Sequence, residues 1–268
     1  MKSRRHALVL ALLAACGSNV PSGGDELVLD DRAMELDARV VGITSLDGVV
    51  YALSDRAVFR RVEGAWSQVW AAPLGLPQLL DIVALGENRF ALTTRNMGYE
   101  LDLATGVLTE HFCYEPGEEI PRDPVPQQPA PTVEVSRSVA FAPEQNLIVA
   151  NPQTITDDVN QDAVFSEMAI FDRTTGQELR FVNLRDAEFS AGGLAVLEFP
   201  ALMAGEGSQL IEVDFETGNK RAFLDLAGLD VSDIEGLAID RAAGELLVLD
   251  GTTQRLLTLD LEQVLRAR

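Results

Sequence analysis

The residues in this sequence that could do chemistry are a few carboxylates and very few nucleophiles or bases. Asp233 and Glu235 stand two apart in Asp233-Ile234-Glu235-Gly236, and Asp81 opens the similar run Asp81-Ile82-Val83. Carboxylates gathered at strand starts offer oxygen ligands to a hard divalent cation, of which calcium is the natural candidate. They serve equally to accept backbone N–H bonds, and that structural use is the more frequent one. A second oxygen-rich run, Asp157-Asp158-Val159-Asn160-Gln161-Asp162, places Asp158, Asn160 and Asp162 at alternate positions, as in a calcium loop. Ala163 stands where the sharp turn of such a loop needs glycine, and no Glu occupies the twelfth place, so a solvated acidic insertion is the better reading.

Nucleophilic hydrolysis is poorly supplied. The chain has two histidines, of which His6 lies in the first fifteen residues, and no Gly-x-Ser-x-Gly elbow, so a Ser-His-Asp site in the remainder would have to use His111. That residue lies in Leu108-Thr109-Glu110-His111-Phe112-Cys113, which reads as an outer strand carrying a half-exposed structural histidine and a buried thiol. Beyond the first sixteen residues, one histidine and one cysteine do not make a zinc site, and there is no Gly-rich phosphate loop. The formal charge of −21 disfavours nucleic acid and anionic lipid as partners.

The first fifteen residues have the parts of an export signal: basic Lys2, Arg4 and Arg5, an apolar stretch over 7–13, and small Ala14 and Ala15. That stretch is far shorter than the roughly 20 residues a spanning helix needs. The run Leu13-Ala14-Ala15-Cys16 resembles the lipobox of bacterial lipoproteins, which implies cleavage before Cys16, lipidation of its thiol, and a palmitoylated, membrane-anchored mature protein. Gly17 rather than Asp after the cysteine resembles the sorting signal for the outer membrane, facing the periplasm or the cell surface. Residues 16–25 read as the lipid-bearing cysteine and a Gly/Ser-rich tether. Removing Lys2, Arg4 and Arg5 leaves 18 basic residues against 42 acidic, about −24, so attachment would rest on the acyl chains. With Cys16 lipidated, Cys113 has no partner for an internal disulfide.

What must position the carboxylates is a repeat. Leu101-Asp102-Leu103-Ala104-Thr105-Gly106, Phe171-Asp172-Arg173-Thr174-Thr175-Gly176 and Val213-Asp214-Phe215-Glu216-Thr217-Gly218 share apolar-Asp-x-x-Thr-Gly. Asp accepts backbone N–H bonds across a turn and Gly supplies positive φ, so each copy predicts a hairpin. Degenerate copies at Arg60 and Asp260 give steps of about 42, 70, 42 and 46 residues, and four-stranded propeller blades repeat every 40–45. The long step is assigned to insertions near 115–134 and 151–167 that do not alternate like strands. Short apolar runs precede each turn: Val40-Val41-Gly42-Ile43, Leu80-Asp81-Ile82-Val83, Ser138-Val139-Ala140-Phe141, Gly193-Leu194-Ala195-Val196 and Gly236-Leu237-Ala238-Ile239. They read as inner strands around a channel.

The expectation is therefore an all-β domain over 26–268, a β-propeller of about five four-stranded blades, with six blades or a β-sandwich as alternatives. Leu27-Val28-Leu29 is available to complete the last blade, whose own fourth strand is poorly marked in Glu262-Gln263-Val264-Leu265. Trp66 and Trp70, four apart on one side of a strand, suit interblade packing and a partner patch equally well.

The repeat is similar to the YVTN, NHL and quinoprotein-like bacterial propellers, over most of the chain after Asp25. The stretch from Asp233 to Asp240 also resembles the Asp-x-Glu-Gly blade opening of phytase-esterase-like propellers. Glu235-Gly236 is similar to the position that carries a catalytic divalent metal in gluconolactonase-like and regucalcin-like propellers. That likeness implies a metal-dependent hydrolase or lactonase, although Arg137-Ser138 and Gly192-Gly193 supply no further carboxylates at matching places. The sequence favours a non-catalytic binding module with a protein or small-ligand partner, with the hydrolase as the alternative.

Overall fold

The structure, a computed structural model, describes residues 27–95, 97–113, 132–134, 138–157, 162–184, 192–198 and 200–268. Cys16, the signal and tether, Asp158 and Asn160 lie outside the described residues. A first strand, β1 (Val28–Ala33), precedes five antiparallel sheets arranged around an axis. Blade 1 runs β2 (Val40–Leu46), β3 (Val49–Ser54), β4 (Ala57–Val62), β5 (Ala65–Ala71) from axis to rim, and blade 2 runs β6 (Asp81–Gly86), β7 (Arg89–Thr93), β8 (Met97–Asp102), β9 (Val107–Cys113). A short β10 (Thr132–Glu134) leads into blade 3, which comprises β11 (Val139–Ala142), β12 (Leu147–Asp157), β13 (Asp162–Asp172) and β14 (Glu178–Leu184). Blade 4 contains β15 (Leu194–Glu198), β16 (Ala201–Glu206), β17 (Gln209–Asp214) and β18 (Lys220–Asp225). Blade 5 contains β19 (Ile234–Asp240), β20 (Glu245–Asp250) and β21 (Arg255–Asp260), and helix α1 (Leu261–Ala267) ends the chain. The domain is a five-bladed propeller, not a sandwich. The inner strands begin at one face, here the upper, and finish at the lower.

The turn chemistry builds the blades. In each Asp-x-x-Thr-Gly copy the carboxylate accepts from the backbone N–H three residues on, at 3.2, 2.8 and 2.9 Å for Asp102, Asp172 and Asp214. The closing glycines adopt φ of 68–72°. Those N–H bonds hold all three carboxyls below their ordinary range. At the matching place in blade 5, Asp260 does something else with the same chemistry: it caps α1 by accepting from Gln263 N at 2.9 Å. Residues 262–265 are thus helix, and β1 supplies the fourth strand by pairing with β21 from Val28↔Leu259 to Ala33↔Arg255. Arg255 and Asp31 add an ion pair across that join.

Each seam between neighbouring blades holds one apolar cluster. Leu53, Trp70, Phe90 and Leu101 fill the seam of blades 1 and 2, Phe112, Ile148 and Phe171 that of 2 and 3, and Met168, Leu202, Ile211 and Phe215 that of 3 and 4. In blade 5, Leu246 and Val248 face blade 4 while Leu247 and Leu249 face blade 1. A strand covered on both faces reads as an unbroken apolar run, which is why β20 does not alternate.

Three expectations are corrected. Trp66 and Trp70 do not share a side, because Val58 pairs with Trp70 but Phe59 with Gln68, leaving Val69 as an extra residue. That bulge reverses the alternation, sending Trp70 to the blade 1–2 seam and Trp66 to the blade 5–1 seam. Cys113 is exposed rather than buried, since Phe112 takes the inward place on β9. Residues 151–157 and 162–167 continue as strands: β12 and β13 run eleven residues each, and β10 pairs with Thr154–Thr156 beyond the start of β11. A ladder is built from backbone groups, so a polar sequence sustains it.

Closure by β1 gives a direct expectation. Leu27 is 5 % exposed in the blade 4–5 cluster, whereas Leu29, on β1 itself, is 53 % exposed. Leu27→Ala is expected to cost about 2–4 kcal/mol in urea unfolding and Leu29→Ala less than about 0.5 kcal/mol. Equal, small costs would mean the N-terminal segment does not close the ring.

Candidate functional site

At the upper mouth of the channel the structure brings two of the sequence-selected carboxylates toward the axis and leaves the third outside. Glu235 sits at a register shift between Ile234 and Gly236 at the start of β19, which turns its side chain inward, and it is only 6 % exposed. Arg39, just before β2, donates to both of its oxygens at 3.0 and 2.9 Å, joining blade 1 to blade 5. A Cβ at position 251 would collide with the Glu235 carboxylate, so Gly251 is what lets that carboxylate lie there. Beside this pair, the Gln254 amide accepts from Val40 N at 2.7 Å and donates to Val40 O at 3.1 Å.

Asp81 opens β6 and is 3 % exposed. One oxygen accepts from Ile82 N and the other from Val139 N, each at 2.8 Å, so the carboxyl bridges blades 2 and 3. Burial pushes its pKa well above the ordinary carboxylate value; the two N–H bonds oppose that and the nearby Glu235 charge adds to it. Gly42, on β2, leaves room for this carboxyl as Gly251 does for Glu235.

Asp233 is exposed, and its main chain is what the fold uses: its N–H donates to Asp250 Oδ1 at 3.1 Å and its carbonyl accepts from Gly251 N at 2.7 Å. Asp250, which sequence reasoning did not single out, is fully buried. Burial works to raise its pKa, but hydrogen bonds from Thr253, Asp233 and Ser232 carry it below the ordinary value. The Asp250-Gly251 pair at a strand end was the available signal, because such a dipeptide marks a turn whose carboxylate collects N–H bonds. Arg39 carried no signal, since a lone arginine before an apolar run fits any surface.

This arrangement does not fit calcium held by Asp233 and Glu235 together. One side chain is outside and the other is under Arg39, and no group of three His, Cys, Asp or Glu among the described residues is placed to hold a metal ion. Of the acidic run, Asp162 begins β13 opposite Asp157, while its expected co-ligands Asp158 and Asn160 are outside the described residues. His111 is half-buried on the outer strand β9, hydrogen-bonded to the Arg173 carbonyl, and lines a peripheral cleft of about 540 Å³ rather than the channel.

At the lower end the channel opens as a cup of about 440 Å³ walled by all five inner strands, among them Val83, Phe141, Leu194 and Leu237. Two of its polar groups are paired with each other: Ser45 Oγ donates to Asp240 Oδ2 at 2.6 Å, and Asp240 Oδ1 accepts from the N–H groups of Ala242 and Ala243.

No family model matches this chain, and no curated protein matches it. Among solved structures, a glutaminyl cyclase from Myxococcus xanthus aligns with a TM-score of 0.58 at 12 % identity, over 87 % of this chain and 94 % of that one. A structure of the nidogen/laminin complex aligns with a TM-score of 0.53 at 12 % identity, over 84 % of this chain and 77 % of its own. At such identities the likeness establishes the propeller fold alone.

Because the Asp81 pKa is raised in the folded state, the stability its protonation contributes is fully present below 3.8 and is lost as pH rises through the folded value. Asp81→Asn lacks this titration. The stability of wild type relative to Asp81→Asn, measured by denaturant unfolding across pH 3.5–8, is expected to decline as pH rises. A flat or rising difference would show that Asp81 is not held in this way.

Proposed function

We propose that the protein is an exported lipoprotein of the cell envelope, anchored through Cys16, whose propeller is a non-catalytic binding module. The observation that carries the second half is that the axial carboxylates are bound within the ring: Glu235 by Arg39, and Asp81 by the N–H groups of Ile82 and Val139. A metal-dependent lactonase needs carboxylates open to an ion and to substrate. Here the same side chains join blades, leaving the faces of a rigid ring to recognise a partner. The outer-membrane address rests on Gly17 and on the host having two membranes. No helix among the described residues is long and apolar enough to cross a membrane.

Two measurements test the two halves. Cys16→Ser is expected to abolish incorporation of labelled palmitate, and equal labelling of mutant and wild type would remove the lipoprotein reading. Calcium at millimolar concentration is expected to leave the thermal midpoint unchanged. An ion present at 100 times its Kd would add about 2.7 kcal/mol, roughly 5–10 °C for a domain of this size. An increment of that order that disappears in Glu235→Gln would favour the hydrolase instead.

A further inference from the structure

We infer that the lower face of the propeller lies against the phospholipid bilayer that holds the anchor, leaving the upper face for partners. This rests on the lipoprotein reading above.

Strand direction decides where the chain leaves the ring. β21 runs from the upper to the lower face, β1 is antiparallel to it, and Val28 pairs with Leu259 near the lower end. The segment leading to Cys16 therefore leaves the domain at the lower face, next to α1. The eleven residues from Gly17 to Leu27 span at most about 36–40 Å fully extended. A compact domain of this length has a radius of gyration near 18 Å and is about 45 Å across. Holding the upper face on the membrane would require the tether to run taut around the outside of the ring, whereas the lower face is reached with slack.

The distribution of exposed apolar side chains points the same way. Six large ones are exposed among the described residues, and five belong to the lower face: Leu29 at the start of β1, Val62 at the end of β4, Val107 and Leu179 at the starts of β9 and β14, and Leu265 on α1. Scattered singly they would need no explanation. Spread around one rim that also emits the lipid tether, they suit shallow insertion at the headgroup level, as interfacial apolar groups do. The exposed charges of this face are more acidic than basic, with Asp47, Glu63, Glu87, Glu144 and Glu216 among them against Arg89 and Arg241, so the lipid surface it suits is zwitterionic and not anionic. The contact is therefore apolar and weak by itself, made lasting by the anchor, which keeps the face near the bilayer by effective concentration.

The test uses the full-length lipidated protein in phosphatidylcholine vesicles containing a nitroxide-headgroup lipid. The native Cys113, exposed at the upper end of β9, takes a fluorescent thiol label in one sample. Val107→Cys and Leu265→Cys, each combined with Cys113→Ser, take it in two others; both sites are exposed, and thermal midpoints within about 2 °C of wild type confirm folding. Labels at 107 and 265 are expected to be quenched at least about two-fold more than the label at 113. Equal quenching, or stronger quenching at 113, overturns the orientation while flotation with the vesicles keeps the anchor intact. Failure to float, together with loss of palmitate labelling, removes the anchor and the orientation with it. Shielding of 107 and 265 in lipid-free detergent solution at a dimer mass assigns the face to a second copy and also overturns the proposal.

Discussion

The hydrogen bonds between β1 and β21 join segments so far apart in the chain that the Arg255–Asp31 ion pair beside them spans 224 residues. Every other sheet is made from consecutive strands and could form locally. A row of such sheets has two uncovered ends, each a broad apolar surface with exposed edges. Only when the first strand completes the last blade are blades 5 and 1 brought face to face, burying Val40, Ile43, Leu249 and Leu256 in the remaining seam. Side-chain hydrogen bonds spanning some 195–214 residues gather at this seam: Arg39 with Glu235, Gln254 with Val40 and Ser45 with Asp240. Carboxylates that look like chemistry in the sequence are therefore explained by closure. A ring made of similar wedges leaves little that distinguishes its last joint, and part-buried, directional bonds supply that distinction.

Much of this was legible because it is local. An Asp that caps its own turn and a Gly with positive φ act within five residues, so the blade period, the five inner strands and the peripheral place of His111 follow from spacing. What failed depended on partners outside the window. One extra residue, Val69, separates Trp66 from Trp70, and nothing in Ala65-Trp66-Ser67-Gln68-Val69-Trp70 marks the bulge. Cys113 was misread because an outer strand has one covered face and Phe112 already occupies it. The long strands of blade 3 were misread because their pairing is backbone to backbone and does not require an alternating pattern. Glu235 was found but not Arg39, since an ion pair between blades leaves no trace in either segment alone.

The three buried carboxyls at this end of the ring show how one chemical group is put to different electrostatic use. Asp250 is surrounded by N–H and O–H donors that hold its pKa below the ordinary value despite burial; Asp81 is pushed above it by burial, which its two N–H bonds oppose without offsetting. Glu235 is met by a guanidinium. The difference lies in how burial balances against the donors each setting provides, which no single-residue property conveys.

The split blade also has a meaning in time. The first strand to be made is the last that can be paired, because β21 lies at the opposite end of the polypeptide. In a chain made N-terminus first, β1 has no strand to pair with until almost all of the remainder has followed it. The late closure of the ring would then mark the end of that interval.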